Sequence, residues 1–194
     1  RDSSKVDKKF YQELEKVFEI DKFTIENTER LIHSHGQETF KDIYKVLYRS
    51  IDRLVDLVFY PESEEDVRKI IEIALKYNVC LIPYGGGTNV TRALAVPENE
   101  KRTVVSIDTR RLSKIEWINK EDRRVCVEAG ITGKNLDELL KKEGFMIGHE
   151  PDSVELSTIG GWIATNASGM KKNKYGNIED IVEKIETITI NEQY

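Results

Sequence analysis

Val79-Cys80-Leu81-Ile82-Pro83-Tyr84-Gly85-Gly86-Gly87-Thr88-Asn89-Val90 is the stretch on which the fold turns. Its short apolar run reads as a buried strand, and that strand delivers the chain straight into three consecutive glycines. Residues without Cβ reach φ > 0 and let successive backbone N–H groups converge on an anion at close range. A pyrophosphate needs such a surface. The spacing is neither G-x-G-x-x-G nor G-x-x-x-x-G-K-[ST], which disfavours a Rossmann dinucleotide site and a P-loop. A triple glycine also suits a bare hairpin or tight loop, so alone it leaves that alternative open.

Around this stretch, β and α signals alternate. Val55 to Tyr60 reads as a short strand closed by Pro61. Ser63-Glu64-Glu65-Asp66 reads as a capping box opening a helix with Val67, Ile70, Ile71, Ala74 and Leu75 on its buried face, ending near Asn78. Downstream, Thr103–Ile107, Lys114–Ile118 and Arg124–Ala129 read as strands, the last two joined by the polar turn Asn119–Asp122. Thr132 starts a helix carrying Leu136, Leu139 and Leu140, and Gly144 stops it. Ile181–Ile190 reads as a final strand. The sequence predicts a mixed α and β fold without internal repeats.

Residues 1–52 are helical and strongly charged. Ser4-Lys5-Val6-Asp7 fits a capping box, and Val6, Phe10, Leu14 and Val17 fall on one helical face. Phe40, Ile43, Tyr44 and Leu47 repeat that spacing. His33 and His35, two residues apart, do not face one another on a helix, so a hydrogen-bonded turn is expected there and no metal site is assigned.

Charged residues make up 34% of the 194, above the usual ~25%, yet the apolar ones cluster in periodic blocks that can form a core. With 30 basic against 35 acidic residues the net charge is −5, which argues against a nucleic-acid partner. No apolar run approaches the ~20 residues of a membrane span, and no signal-peptide core follows the first residues. Cys80 and Cys126 both sit in strand-like runs and read as two reduced thiols. The sequons at Asn89 and Asn166 lie in glycine-rich segments where a glycan would block close backbone contact, so they read as chance matches.

A second glycine-rich segment runs from His149 through Glu150-Pro151-Asp152-Ser153-Val154-Glu155-Leu156-Ser157-Thr158-Ile159-Gly160-Gly161-Trp162 to Thr165-Asn166-Ala167-Ser168-Gly169-Met170. So long a stretch of small and hydroxyl residues inside a compact domain is usually functional or disordered, and Trp162 with the flanking apolar runs argues for function. Lys171, Lys172 and Lys174 add a local basic cluster that reads either as an anion or membrane contact or as a solvated loop. The adjacent Glu179-Asp180 suits a surface or capping role better than acid–base chemistry.

The loop P-Y-G-G-G-T-N-V at 83–90, V-E-A-G-I-T-G at 127–133 and G-H-E-P-D-S-V-E-L-S-T-I-G-G-W at 148–162 resemble the PCMH-type FAD-binding domain of the vanillyl-alcohol oxidase superfamily. Within it, A-S-G-M-K-K-N-K-Y-G-N-I-E-D at 167–180 is similar to the alkyldihydroxyacetonephosphate (alkylglycerone-phosphate) synthase family. The likeness covers nearly everything from residue 53 onward, and weakly includes R-L-I-H-S-H-G-Q at 30–37.

The resemblance implies an α+β fold of two small α/β subdomains around FAD over 53–194, preceded by the helical region 1–52 and incomplete at the C-terminal side. Pro83, Tyr84, Gly85, Gly86, Gly87, Thr88 and Asn89 would cradle the pyrophosphate. Asp152, Ser153, Val154, Glu155, Leu156, Ser157, Thr158, Gly160, Gly161, Thr165, Asn166, Ala167 and Ser168 would line the other side of the cofactor. Some members attach FAD through a histidine in the first loop; Thr88 and Asn89 stand there here, which implies non-covalent binding.

The family exchanges the acyl group of acyl-dihydroxyacetone phosphate for a fatty alcohol in a redox-neutral step of ether-lipid synthesis. Its members imply a peroxisomal, peripherally membrane-associated homodimer whose catalytic groups lie outside these residues, so the piece alone is expected to be inactive. His149 reads as structural. A 2-hydroxyacid dehydrogenase of the same fold, of D-lactate or glycolate type, and a non-catalytic FAD-binding module are the alternatives.

Overall fold

The structure, a computed structural model, describes residues 4–37, 40–48 and 51–189. They fall into two compact units, one running to Asp108 and taking in the residues from Ile188, the other Thr109–Thr187.

The first unit is built on a four-stranded sheet. Its elements are α1 (Lys8–Val17), β1 (Phe23–Thr24), α2 (Asn27–Ile32), α3 (Phe40–Leu47), β2 (Leu57–Phe59), α4 (Glu64–Lys76), β3 (Cys80–Tyr84) and β4 (Val104–Asp108). The strand order is β1-β2-β4-β3, with β1 antiparallel and the other three parallel. All five residues of β4 are buried, as a central parallel strand requires. Phe10 and Leu14 of α1 and Ile70, Ile73 and Ala74 of α4 pack with Leu57, Phe59, Val105 and Ile107 of the sheet into one apolar cluster.

Local signals are partly redirected by long-range contacts. Asp7, not Ser4, caps α1, accepting from the N–H groups of Lys9 and Phe10 at 2.9 Å each. Ser4 instead donates to the carbonyl of Asp56 at 2.8 Å. Ser63 caps α4 as expected, but its box partner Asp66 turns inward, accepting from Lys22 Nζ and from the Glu62 N–H at 2.9 Å each. On this helix Ile73 is buried and Leu75 half exposed, against the face read from the sequence. Asp56 organises the unit. It holds Arg53 through two hydrogen bonds at 2.8 and 2.5 Å and accepts from the N–H groups of Lys5 and Val104 at 2.9 Å each.

The apolar face of α3 behaves differently. Phe40, Ile43, Tyr44, Leu47 and Tyr48 share one face at helical spacing, and all are exposed, Phe40 by 91%.

The second unit contains the hairpin β5 (Ile115–Asn119) and β6 (Arg124–Val127), then α5 (Gly133–Lys142), α6 (Ile159–Ala164), α7 (Lys172–Tyr175) and α8 (Ile178–Ile181). The Asn119 side chain accepts from the Glu121 and Asp122 N–H groups, making the expected turn. Ile131, Leu136, Leu140, Ile159, Trp162 and Ile178 form its core. The strand expected over Ile181–Ile190 is not formed among the described residues: Ile181 ends α8, and 182–189 follow without a ladder, with Ile190 lying outside the description. Its β-prone composition meets no strand edge there, and a strand without a partner gains nothing from its propensity. Both cysteines are free thiols. Among the described residues no helix is long and apolar enough to cross a membrane.

Candidate cofactor site

The first glycine segment leaves the sheet at the carboxyl end of β3, where Tyr84 pairs with Asp108 across the ladder. Ligands of open α/β sheets gather at this edge, beyond the carboxyl ends of parallel strands. Gly85 to Asn89 are half-buried. None of the six N–H groups from Gly85 to Val90 donates a hydrogen bond among the described residues. Backbone donors seek an acceptor, and a row of six without one inside the chain is open to an acceptor from outside it. Gly87 sits at φ 67°, and a Cβ there would run into the Tyr84 hydroxyl, so the loop can lie this close to its own strand only as glycine.

Beneath the loop lies a buried polar cluster. The Tyr84 ring packs 4.3 Å from that of His33, which is wholly buried. His33 Nδ1 lies 2.8 Å from the Glu29 carbonyl and Nε2 lies 2.9 Å from Asp108 Oδ2. A carbonyl only accepts, so Nδ1–H donates to Glu29 while Nε2 faces the Asp108 carboxylate. At the loop's far end the Asn89 carbonyl accepts from the Gln37 N–H at 2.9 Å. The segment 30–37 thus braces the glycine loop. The sequence gives the hydrogen-bonded turn expected for His33 and His35, but not what the turn supports, because Asp108 is 75 residues from His33.

The second segment divides in two. The N–H groups of Asp152, Ser153, Val154 and Glu155 make no hydrogen bond among the described residues, and Asp152 and Glu155 are exposed. From residue 156 to 168 most of the donors are committed, those of Thr158 and Ser168 excepted. Leu156 and Ser157 N–H bond the Ser153 carbonyl, Gly160 N–H bonds Ala129, and those of Thr165, Asn166 and Ala167 close back onto α6. The hydroxyls are committed too. Ser157 Oγ donates to the Ser153 carbonyl at 2.8 Å and accepts from Trp162 Nε1 at 2.7 Å. Thr158 Oγ1 caps α6 through Gly161, Thr165 Oγ1 bonds the Gly161 carbonyl, and Ser168 Oγ bonds Asn177 Oδ1. Asn166 takes φ 48° at the end of α6.

Of the basic cluster, Lys171 is bound to Glu150 at 2.5 Å, and Lys174 lies 4.9 Å from the centre of the Tyr175 ring. Asp180 closes a capping box with Asn177, the capping role expected for the Glu179-Asp180 pair. No group of His, Cys, Asp and Glu among the described residues could hold a metal ion.

A glycine cradle with spare donors at a strand's carboxyl end suits the phosphates of a nucleotide cofactor, and comparison with known proteins says which. A profile described as an FAD binding domain matches residues 55–193, most of the chain. The chain belongs to the FAD-binding domain family, and its cofactor is FAD. It is similar to the alkyldihydroxyacetonephosphate synthase of Caenorhabditis elegans, 52% identical over 160 residues, covering 82% of this chain and 27% of that protein. A solved alkyldihydroxyacetonephosphate synthase superposes with a TM-score of 0.88 at 38% identity, over 93% of this chain and 34% of that one. The mitochondrial D-lactate dehydrogenase [cytochrome] of Arabidopsis thaliana is 30% identical over 186 residues, 96% of this chain and 30% of that protein. The chain therefore spans under a third of the length of these two curated relatives. The α+β, PCMH-type architecture expected from the sequence is the one found.

Proposed function

We propose that this chain is the FAD-binding portion of an ether-lipid synthase, which replaces the acyl group of acyl-dihydroxyacetone phosphate with a fatty alcohol without net oxidation or reduction. The observation that carries the binding half of this reading is the row of six uncommitted N–H donors at Gly85–Val90, with no side chain of the glycines in the way. Such a row offers a pyrophosphate several hydrogen bonds at once. Tyr84, braced by His33, keeps the loop from collapsing into the sheet.

Asp152, Ser153, Val154 and Glu155 offer a second row of backbone donors to the cofactor's other polar groups. Leu156, Ser157, Thr158, Gly160, Gly161, Thr165, Asn166, Ala167 and Ser168 act chiefly by holding that turn in shape. Thr88 and Asn89 stand where some members carry an attaching histidine, so FAD is held non-covalently. Bound FAD supplies the reactive ring, and the residues here bind and orient it.

The FAD-binding portion runs from residue 53, and the region before it adds helices and the edge strand β1. The substrates, a homodimer, peripheral membrane association and a peroxisomal location belong to the whole enzyme. The 52% identity to a named synthase, against 30% to a D-lactate dehydrogenase, favours the transferase over the redox alternative. Incubating the chain with FAD, followed by gel filtration and a visible spectrum, tests the binding half: co-eluting flavin bands are expected, and a colourless chain sinks it. In the full-length enzyme, reduction of a dye by D-lactate or glycolate would replace the synthase reading with the dehydrogenase one.

A further inference from the structure

His149 is 3% exposed, and neither ring nitrogen has a hydrogen-bond partner among the described residues. Its ring meets Trp162 of α6 at 4.8 Å in an edge-on contact. Gly169 also packs against it: a Cβ there would come within 3.1 Å of Nδ1 and 2.9 Å of the Glu150 N–H nitrogen. Only glycine lets this turn close over the ring. The closure is fastened by the Met170 N–H, which donates to the Glu150 carbonyl at 2.8 Å, and by the Lys171–Glu150 ion pair. His149 thus lies between the turn at 150–155 and the turn at 166–171, the two parts of the second glycine-rich segment.

We propose that His149 is an acid-sensitive pin, which joins these two turns while its ring is neutral and forces them apart when the ring takes up a proton. A protonated ring would carry two N–H donors and a charge into a site that offers no acceptor. Around it, α6 presents the uncharged Trp162, Glu150 and Lys171 on the two turns are bound to each other, and Glu179 on α8 is the charged group that acts on the ring. Burial lowers the ring's proton affinity by more than Glu179 raises it. The consequence for FAD, release on mild acidification, rests on the cofactor site proposed above.

Tryptophan fluorescence and FAD retention of the chain, titrated from pH 7.5 to 5 beside His149→Phe, test the pin. The wild type is expected to show a reversible fluorescence step and at least tenfold weaker FAD retention at the acid end, both absent from His149→Phe. A step shared by the variant, or no step in the wild type, overturns the proposal. The fluorescence arm needs no cofactor, so a chain that binds no FAD still decides it. Should His149→Phe fail to fold, the surface change Glu179→Gln decides instead: the midpoint moves to lower pH, and an unmoved midpoint overturns the pin.

Discussion

The glycine loop at 85–90 and the stretch at 156–168 are alike in composition, small and hydroxyl residues with paired glycines, yet opposite in hydrogen bonding. In the first, six consecutive backbone donors are spare. In the second, most donors and all four of its Ser and Thr hydroxyls are already bound within the chain. Composition marks both as places where a side-chain core is absent. Only the donors left over separate a surface made to receive an anion from a scaffold that holds another surface in place. By that criterion the short turn at 152–155 is the part of the second segment that we propose binds the cofactor.

The comparison breaks most severely at Trp162. If 156–168 is scaffold, Trp162→Ala removes the largest buried side chain of the second unit and costs about 3–5 kcal/mol in urea denaturation. A loss under about 1 kcal/mol would mean the segment bears no load. Ser157→Ala is milder: it leaves the buried indole N–H without its acceptor, for a loss of about 1–3 kcal/mol. FAD should still bind once the variant is folded, whereas a stability-neutral loss of FAD would make Ser157 a direct contact.

Acid should separate the two units through different groups. Burial pushes the Asp56 carboxyl up, but the Arg53 guanidinium and the N–H groups of Val104 and Lys5 outweigh it and hold it below the ordinary carboxylate value. Its stabilisation of the first unit is complete above about pH 4 and is lost as pH falls through the lowered value. His149, lowered chiefly by burial, binds its proton more readily in the unfolded chain, so the second unit weakens as pH falls below about 6.5. Each group changes stability by at most about 1.4 kcal/mol per pH unit. Amide exchange should therefore show the second unit opening at higher pH than the first, and the reverse order would contradict both assignments. The smallest effect is expected on α3, where Leu47→Ser at a 72% exposed position should alter the melting free energy by under about 0.5 kcal/mol.

What the sequence made legible was local. The strand into Gly85, the caps at Ser63 and Thr132, the Asn119 turn and the Gly144 stop at φ 82° all follow from residues close in the chain. The misses are tertiary. Ser4 lies 52 residues from the Asp56 carbonyl that takes its hydroxyl, and Lys22, which binds the inward-facing Asp66, is 44 residues away from it. The α3 pattern correctly forecasts an apolar face but cannot say whether anything covers it. In the site, the glycine loop was visible because glycine runs are rare. The split of the second segment into donor turn and scaffold was not, because it depends on which hydroxyls are already spent.

The central claim, that FAD is held by the spare donors of the glycine loop, is tested most directly by FAD affinity in Gly87→Val beside Thr165→Val. A side chain at residue 87 must collide with the Tyr84 hydroxyl at φ 67°, so the loop moves and its donors scatter. The hydroxyl of Thr165 faces its own helix. A loss of at least about 100-fold, close to 3 kcal/mol, in the first variant with less than about threefold in the second is the expected result. Equal retention of FAD by Gly87→Val and the wild type would contradict the account.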